Sequence, residues 1–176
     1  GLDWVDGKKI SLMEAGITTL PSGHTYGSFS GKTILDCRAM LSYLFTSPEE
    51  AMIPDPETET RYLYARYALM EENVTGAFCV TYSFMVALMR YIEKNWQMLV
   101  HDIATGTIDP SIRMTEAVRG ALLAKLQPRQ ERAEQLEKIF AQGFVTPIAT
   151  KLWPRLQYLV GIGTGPFSVY AKLLRE

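Results

Sequence analysis

Leu88, Ile92, Trp96, Leu99 and Ile103 fall at steps of four, four, three and four residues, so they form one apolar stripe along a helix. Gly106 supplies the stop for that helix. Just before it, Val74 to Tyr82 is a short apolar run of β-formers following Glu71-Glu72-Asn73, and it reads as a buried strand. A strand followed by a long amphipathic helix must bury the apolar side of each against the other or against neighbours, and layered α/β packing does this.

The remaining segments repeat the alternation. Lys8 to Ala15 reads as a strand with Ile10, Leu12 and Ala15 on its apolar side, and Tyr158 to Ile162 as another. Gly16 to Gly31 is rich in Gly, Ser, Thr and Pro, which predicts a loop or an irregular hairpin. Helical spacing covers Ile34 to Phe45, with Asp36 suited to its first turn, and Glu57 to Glu72; the proline-rich stretch Ser47 to Pro56 connects them. Asp109 and Pro110 fit an N-cap and first helical position, predicting a helix to Leu126. Arg129 to Gln142 reads as a charged, solvated helix ending at Gly143. A short helix reaches Trp153 after Thr146-Pro147, and Pro166 opens a last one. The expected fold class is α/β, helix-rich, with mostly parallel strands and a helical insertion between Tyr82 and Tyr158 far longer than a minimal crossover.

At 176 residues the chain suits one domain or a large part of one. The 18 basic residues are balanced by 19 acidic ones, for a net charge of -1. That leaves no field to attract nucleic acid and no polybasic block for a membrane surface. The weakly polar run Thr75 to Met89 is too short to span a bilayer and ends at Arg90. Cys37 and Cys79 lie far apart in apolar surroundings, without metal-ligand spacing, and read as buried free thiols in a reducing, cytoplasmic setting. The chain opens at Gly1 and stops at Glu176 within a helix-like stretch, so it is expected to be a segment of something longer, with apolar faces open to self-association.

Few motifs carry chemistry on their own. Gly27-Ser28-Phe29-Ser30-Gly31-Lys32-Thr33 approaches a phosphate-binding loop, but it has three residues where four must separate the first Gly from Gly-Lys, and the strand before it ends early at Ala15. A Gly/Ser loop closing onto a helix accounts for it better, and an unchanged nucleotide affinity in Lys32→Ala would end the phosphate reading. Gly161-Ile162-Gly163-Thr164-Gly165 follows a strand and precedes a helix, with G-x-G-x-G in place of the dinucleotide spacing; close helix–strand packing is its general meaning. His24 and His101 belong to no metal or nucleophile signature, and His101 beside Asp102 points away from it on a helix. Neither G-x-S-x-G, H-E-x-x-H nor C-x-x-C occurs.

An ordered set of short motifs is more telling. Arg90-Tyr91-Ile92-Glu93-Lys94-Asn95-Trp96 runs on to Asp102-Ile103-Ala104-Thr105-Gly106-Thr107; later come Leu152-Trp153-Pro154, Tyr158-Leu159 and Thr164-Gly165. This series resembles the acyl acid amido synthetases, adenylate-forming enzymes that join auxin or jasmonate to amino acids in plants and have bacterial relatives. The likeness runs from about residue 74 to 176. It implies that residues 1–176 are a middle part of the large N-terminal adenylation domain, with the phosphate-gripping loop upstream and a mobile C-terminal domain downstream.

By that resemblance, Val80, Thr81, Ser83 and Phe84 match a strand end lining the acid pocket, although ordinary core packing also accounts for Val80 and Phe84. Ser28 and Ser30 lie near a loop bordering the same pocket. Thr164 and Gly165 match a turn that touches the acyl group and the nucleotide, while Pro166 and Phe167 replace the family's Ala-Met pair. The implied reaction uses Mg-ATP to adenylate a carboxylic acid, then passes the acyl group to an amino acid amine. ATP and Mg belong to the complete enzyme, with no catalytic or metal-binding residue assigned here, no tight cofactor binding expected of the segment alone, and no turnover. The alternative is a non-catalytic, helix-rich module that binds a small molecule or a partner.

Overall fold

The computed structural model describes residues 6–144 and 147–174. In chain order, β1 (Lys8–Leu12) leads into a hairpin of β2 (Ile17–Thr19) and β3 (Thr25–Gly27), followed by α1 (Phe29–Asp36), a 3-10 turn, and the short helices α2 (Leu41–Leu44) and α3 (Glu49–Met52). Next come α4 (Thr60–Met70), β4 (Val74–Thr81) and α5 (Tyr82–Thr105). Then α6 (Glu116–Leu123), α7 (Gln130–Phe140) and α8 (Ala149–Leu152) precede β5 (Tyr158–Ile162), a second 3-10 turn and α9 (Ser168–Leu173).

The three strands predicted from apolar runs form one parallel sheet with β4 in the centre, in the order β1-β4-β5. Ile10 lies opposite Ala77 and Leu12 opposite Cys79; on the other side of β4, Phe78 lies opposite Val160. Side chains alternate across a strand, and here Ile10, Leu12, Ala77 and Cys79 are buried while Val80, Val160 and Ile162 stand exposed. Parallel pairing directs all three strand ends the same way, and ligands of open α/β sheets bind beyond those carboxyl ends.

Helix α5 packs on α4 and α7 and against β4. Its stripe is the core seam: Leu88, Ile92, Leu99 and Ile103 are buried, and Trp96 packs its ring 5.6 Å from Phe140. The helix stops at Gly106, whose φ of +74° favours glycine. It is kinked at Asn95, where the side-chain Nδ2 donates to the Tyr91 carbonyl at 2.8 Å. A side chain inserted into the backbone ladder is an established cause of such a kink.

The helices are interlocked by buried polar groups. Asp102 Oδ2 accepts from the Tyr62 hydroxyl at 2.6 Å and from the Asp109 amide at 2.8 Å. Arg66 Nη1 donates to the Tyr62 oxygen at 2.7 Å and lies 3.8 Å from the Asp102 carboxylate, while Nη2 donates to the Asp102 carbonyl at 2.8 Å. The last turn of α4 is closed from a distance: Trp153 Nε1 donates to the Ala68 carbonyl and Arg132 Nε to that of Leu69, each at 2.8 Å. Helix ends leave carbonyls without partners, and these side chains supply them.

Four expectations are corrected. Ile34 to Phe45 is not one helix, since α1 ends at Asp36 and a 3-10 turn, Arg38–Met40, separates it from α2. Asp109 does not cap a long helix; its Oδ1 accepts from the Ser111 amide at 2.8 Å and closes a local turn, and α6 starts only after Thr115, whose hydroxyl accepts from the Val118 amide. The charged helix α7 buries Arg132, Ala133, Leu136 and Phe140, so only part of it is a solvated face. Cys79 is buried as expected, but Cys37 is exposed because α1 ends there.

Candidate functional site

The carboxyl ends of β1 and β4 open onto a cleft of about 740 Å³. Leu12, Met13, Tyr64, Val80, Phe84 and Leu88 form its apolar wall, and Glu14, Ser28, Arg61 and Arg113 are among its polar lining. A mostly apolar cleft with a few polar groups at strand ends is the usual form of a small-molecule site. Ser28 is fixed here because it caps α1, its Oγ accepting from the Gly31 amide at 3.0 Å. The Tyr64 hydroxyl lies 3.1 Å from the Met13 carbonyl and 2.9 Å from that of Ala51, pinning the wall to the end of β1. Burial raises the Tyr64 phenol far above its ordinary range, so it is a neutral donor.

A second groove, about 820 Å³, runs along α5 and shares Glu59, Arg61, Phe84 and Ala87 with the first. Ser83 lines it, and Tyr170 of α9 closes one side. Phe84 therefore borders both spaces, and it is 52% exposed, a high value for a large aromatic side chain. Thr81 is buried and its hydroxyl meets that of Ser83 at 2.6 Å, tying the strand end to the first turn of α5.

Of the residues singled out in the sequence, Val80, Phe84 and Ser28 meet at the first cleft, and Ser83 and Phe84 at the groove. Thr81 supports that junction from within. The Ser30 side chain lies outside the described residues. Thr164, Gly165, Pro166 and Phe167 follow β5 but line neither space; Thr164 precedes a 3-10 turn, Gly165–Phe167, without capping it through its side chain. The glycines before them have a packing role. A Cβ on Gly163 would stand 2.3 Å from a ring carbon of Tyr82, and one on Gly161 2.7 Å from the Cys79 sulfur. Gly165 differs, with φ +58° and open space around it. The Gly27–Thr33 segment is the capped start of α1, and Lys32 is spent on Asp36 at 2.7 Å.

Tyr64, Arg61 and Arg113 were not visible as site residues. No local pattern marks them; they reach the cleft because α4 packs on α5 and the segment after Asp109 folds back, the Glu59 amide donating to the Arg113 carbonyl at 2.8 Å.

The solved GH3.15 acyl acid amido synthetase matches 99% of this chain and 31% of its own length, with a TM-score of 0.80 at 21% identity. The same enzyme in complex with 2,4-DB matches 97% of the chain with a TM-score of 0.82, also at 21% identity. Residues 3–176 match the GH3 family N-terminal domain, and the chain belongs to the GH3 family. Curated relatives include the probable indole-3-acetic acid-amido synthetase GH3.1 of Oryza sativa subsp. japonica, 31% identical over 131 residues. The 4-substituted benzoates-glutamate ligase GH3.12 of Arabidopsis thaliana is 26% identical over 133 residues. These alignments cover 74% and 75% of the chain but only 21% and 23% of the relatives, so the chain spans a minor part of their length.

Proposed function

We propose that residues 1–176 form the acid-pocket part of the adenylation domain of an ATP-dependent acyl acid amido synthetase, acting on a small carboxylic acid and an amino acid. The observation that carries this is the apolar cleft at the carboxyl ends of the parallel strands, walled by Val80 and Phe84. Such a wall takes the body of an acid, and Arg61 and Arg113 are among the polar groups on the lining that can orient it. Bound ATP supplies the electrophilic α-phosphorus for the acid's carboxylate. The exposed Thr164–Gly165 turn fits a nucleotide contact, with a free hydroxyl and backbone that a ligand approaches without meeting a side chain. Among the described residues no group of three or more His, Cys, Asp or Glu is disposed to hold a metal. The two free thiols support a reducing, cytoplasmic setting. No described helix is long and apolar enough to cross a membrane.

Acid-dependent ATP–pyrophosphate exchange by the protein at its natural length tests this reading, with a panel of aryl and aliphatic acids and the 176-residue chain alongside. Exchange by the long form and none by the short one is expected. Silence across the panel from folded protein with Mg-ATP would overturn it in favour of a non-catalytic binding module.

A further inference from the structure

The groove along α5 carries unbalanced charge. Arg90 and Lys94 are four residues apart on α5, both exposed, and Arg61 joins them from the start of α4. Like charges at this spacing repel on a helix. None of the three side chains forms a hydrogen bond or ion pair with a described residue. Glu59 is the one carboxylate on the lining among the described residues, and it already accepts from the Tyr91 hydroxyl at 3.3 Å. Among the described residues the groove lining thus holds three cations against one anion, in a chain whose net charge is -1. Phe84, Tyr91 and Tyr170 are among its other lining residues, and it shares Phe84 and Arg61 with the acid cleft.

We propose that this groove selects an aromatic acid carrying a second negative charge, which Arg90 and Lys94 hold while the ring lies against Phe84. The inference rests on the acid-binding reading above. Two negative charges offset the local excess, and a clustered basic surface beside low-dielectric walls strengthens the attraction. Aromatic walls and a guanidinium suit a flat, anionic ring.

The test is calorimetric titration of the chain with benzene-1,4-dicarboxylate and with benzoate, which share a ring and differ by one charge. The dicarboxylate is expected to bind about tenfold more tightly, the size of one charge-assisted contact. That ratio should fall towards one in Arg90→Gln/Lys94→Gln and in high salt, but persist in Lys138→Gln/Lys151→Gln, which removes the same charge elsewhere. Equal affinities, or a preference that survives Arg90→Gln/Lys94→Gln, would overturn the proposal while leaving the acid pocket standing. Binding of neither acid would sink both readings. Glutamate binding that depends on Arg90 and Lys94, in place of the dicarboxylate preference, would give the groove to the amine substrate and also overturn it.

Discussion

The junction of α4, α5 and the Thr107–Asp109 loop and the carboxyl ends of the strands are built on opposite plans. At the junction, Arg66 and Asp102 are 0% and 1% exposed, and their polar atoms are shared among Tyr62, Thr107 and Asp109. At the strand ends, Phe84 and Ile162 are more than half exposed, and the Thr81–Ser83 contact is the side-chain bond that fastens β4 to α5. Several residues of the motifs that mark the family hold the frame: Asn95 sets the kink of α5, Asp102 and Thr107 belong to the buried network, and Trp153 closes α4. The same signature also enters the site, since Arg90, Tyr91, Lys94 and Asn95 line the groove along α5. Part of the signature thus holds the frame, and part lies on the more open surface that the frame presents.

Asp102→Ala should break this contrast most severely. It leaves the Arg66 guanidinium buried without its carboxylate and frees the Tyr62 hydroxyl and the Asp109 amide. Removing one member of a buried pair costs about 3–5 kcal/mol. Urea unfolding should show that loss, whereas Phe84→Ala at the strand ends should change stability little. A loss at Asp102 no larger than that at Phe84 would mean that the junction is not the more constrained region.

A smaller effect separates two glycines of one turn. Gly163→Ala must push a methyl group into the Tyr82 ring, and overpacking of this kind costs about 1–3 kcal/mol. Gly165→Ala meets no atom, so its cost is the φ of +58° alone, about 1 kcal/mol. Thermal unfolding of the two variants should rank them in that order. The reverse order would show that Tyr82 yields easily, and that the end of β5 is looser than its packing implies.

How much of this was legible in the sequence follows from how local each signal is. Strand β5 matches Tyr158 to Ile162, β4 ends one residue before Tyr82, and the stripe of α5 lies where its spacing put it, because each depends on side chains close in sequence. The Asp109 helix failed because the carboxylate is satisfied at once by Ser111, a local competitor that helical spacing does not register. The buried face of α7 was hidden because Arg132 reads as a surface charge; its guanidinium is buried only because the carbonyls of Leu69 and Leu152 meet it. At the site, Val80 and Phe84 were recognisable from the strand end, whereas Tyr64, Arg61 and Arg113 arrive from segments that only the tertiary fold brings together.

The two cysteines offer the mildest comparison of buried and open regions. Burial pushes the Cys79 thiol up to about 11, while Cys37 is exposed. A thiol-specific disulfide reagent at neutral pH should therefore label Cys37 and spare Cys79 until the chain unfolds. The same shift fixes a sign for alkaline stability. Between pH 9 and 11 the unfolded chain loses the Cys79 proton while the folded chain keeps it, so this contribution is complete below that window and lost as pH rises through it. Burial likewise pushes the Tyr67 phenol up to about 12 and adds in the same direction at slightly higher pH. Replacing Cys79 by Ala should flatten the decline between pH 9 and 11 by the Cys79 share only. An unchanged slope, or equal labelling of both cysteines in the folded chain, would show that the core behind β4 is as open as the surface beyond α1.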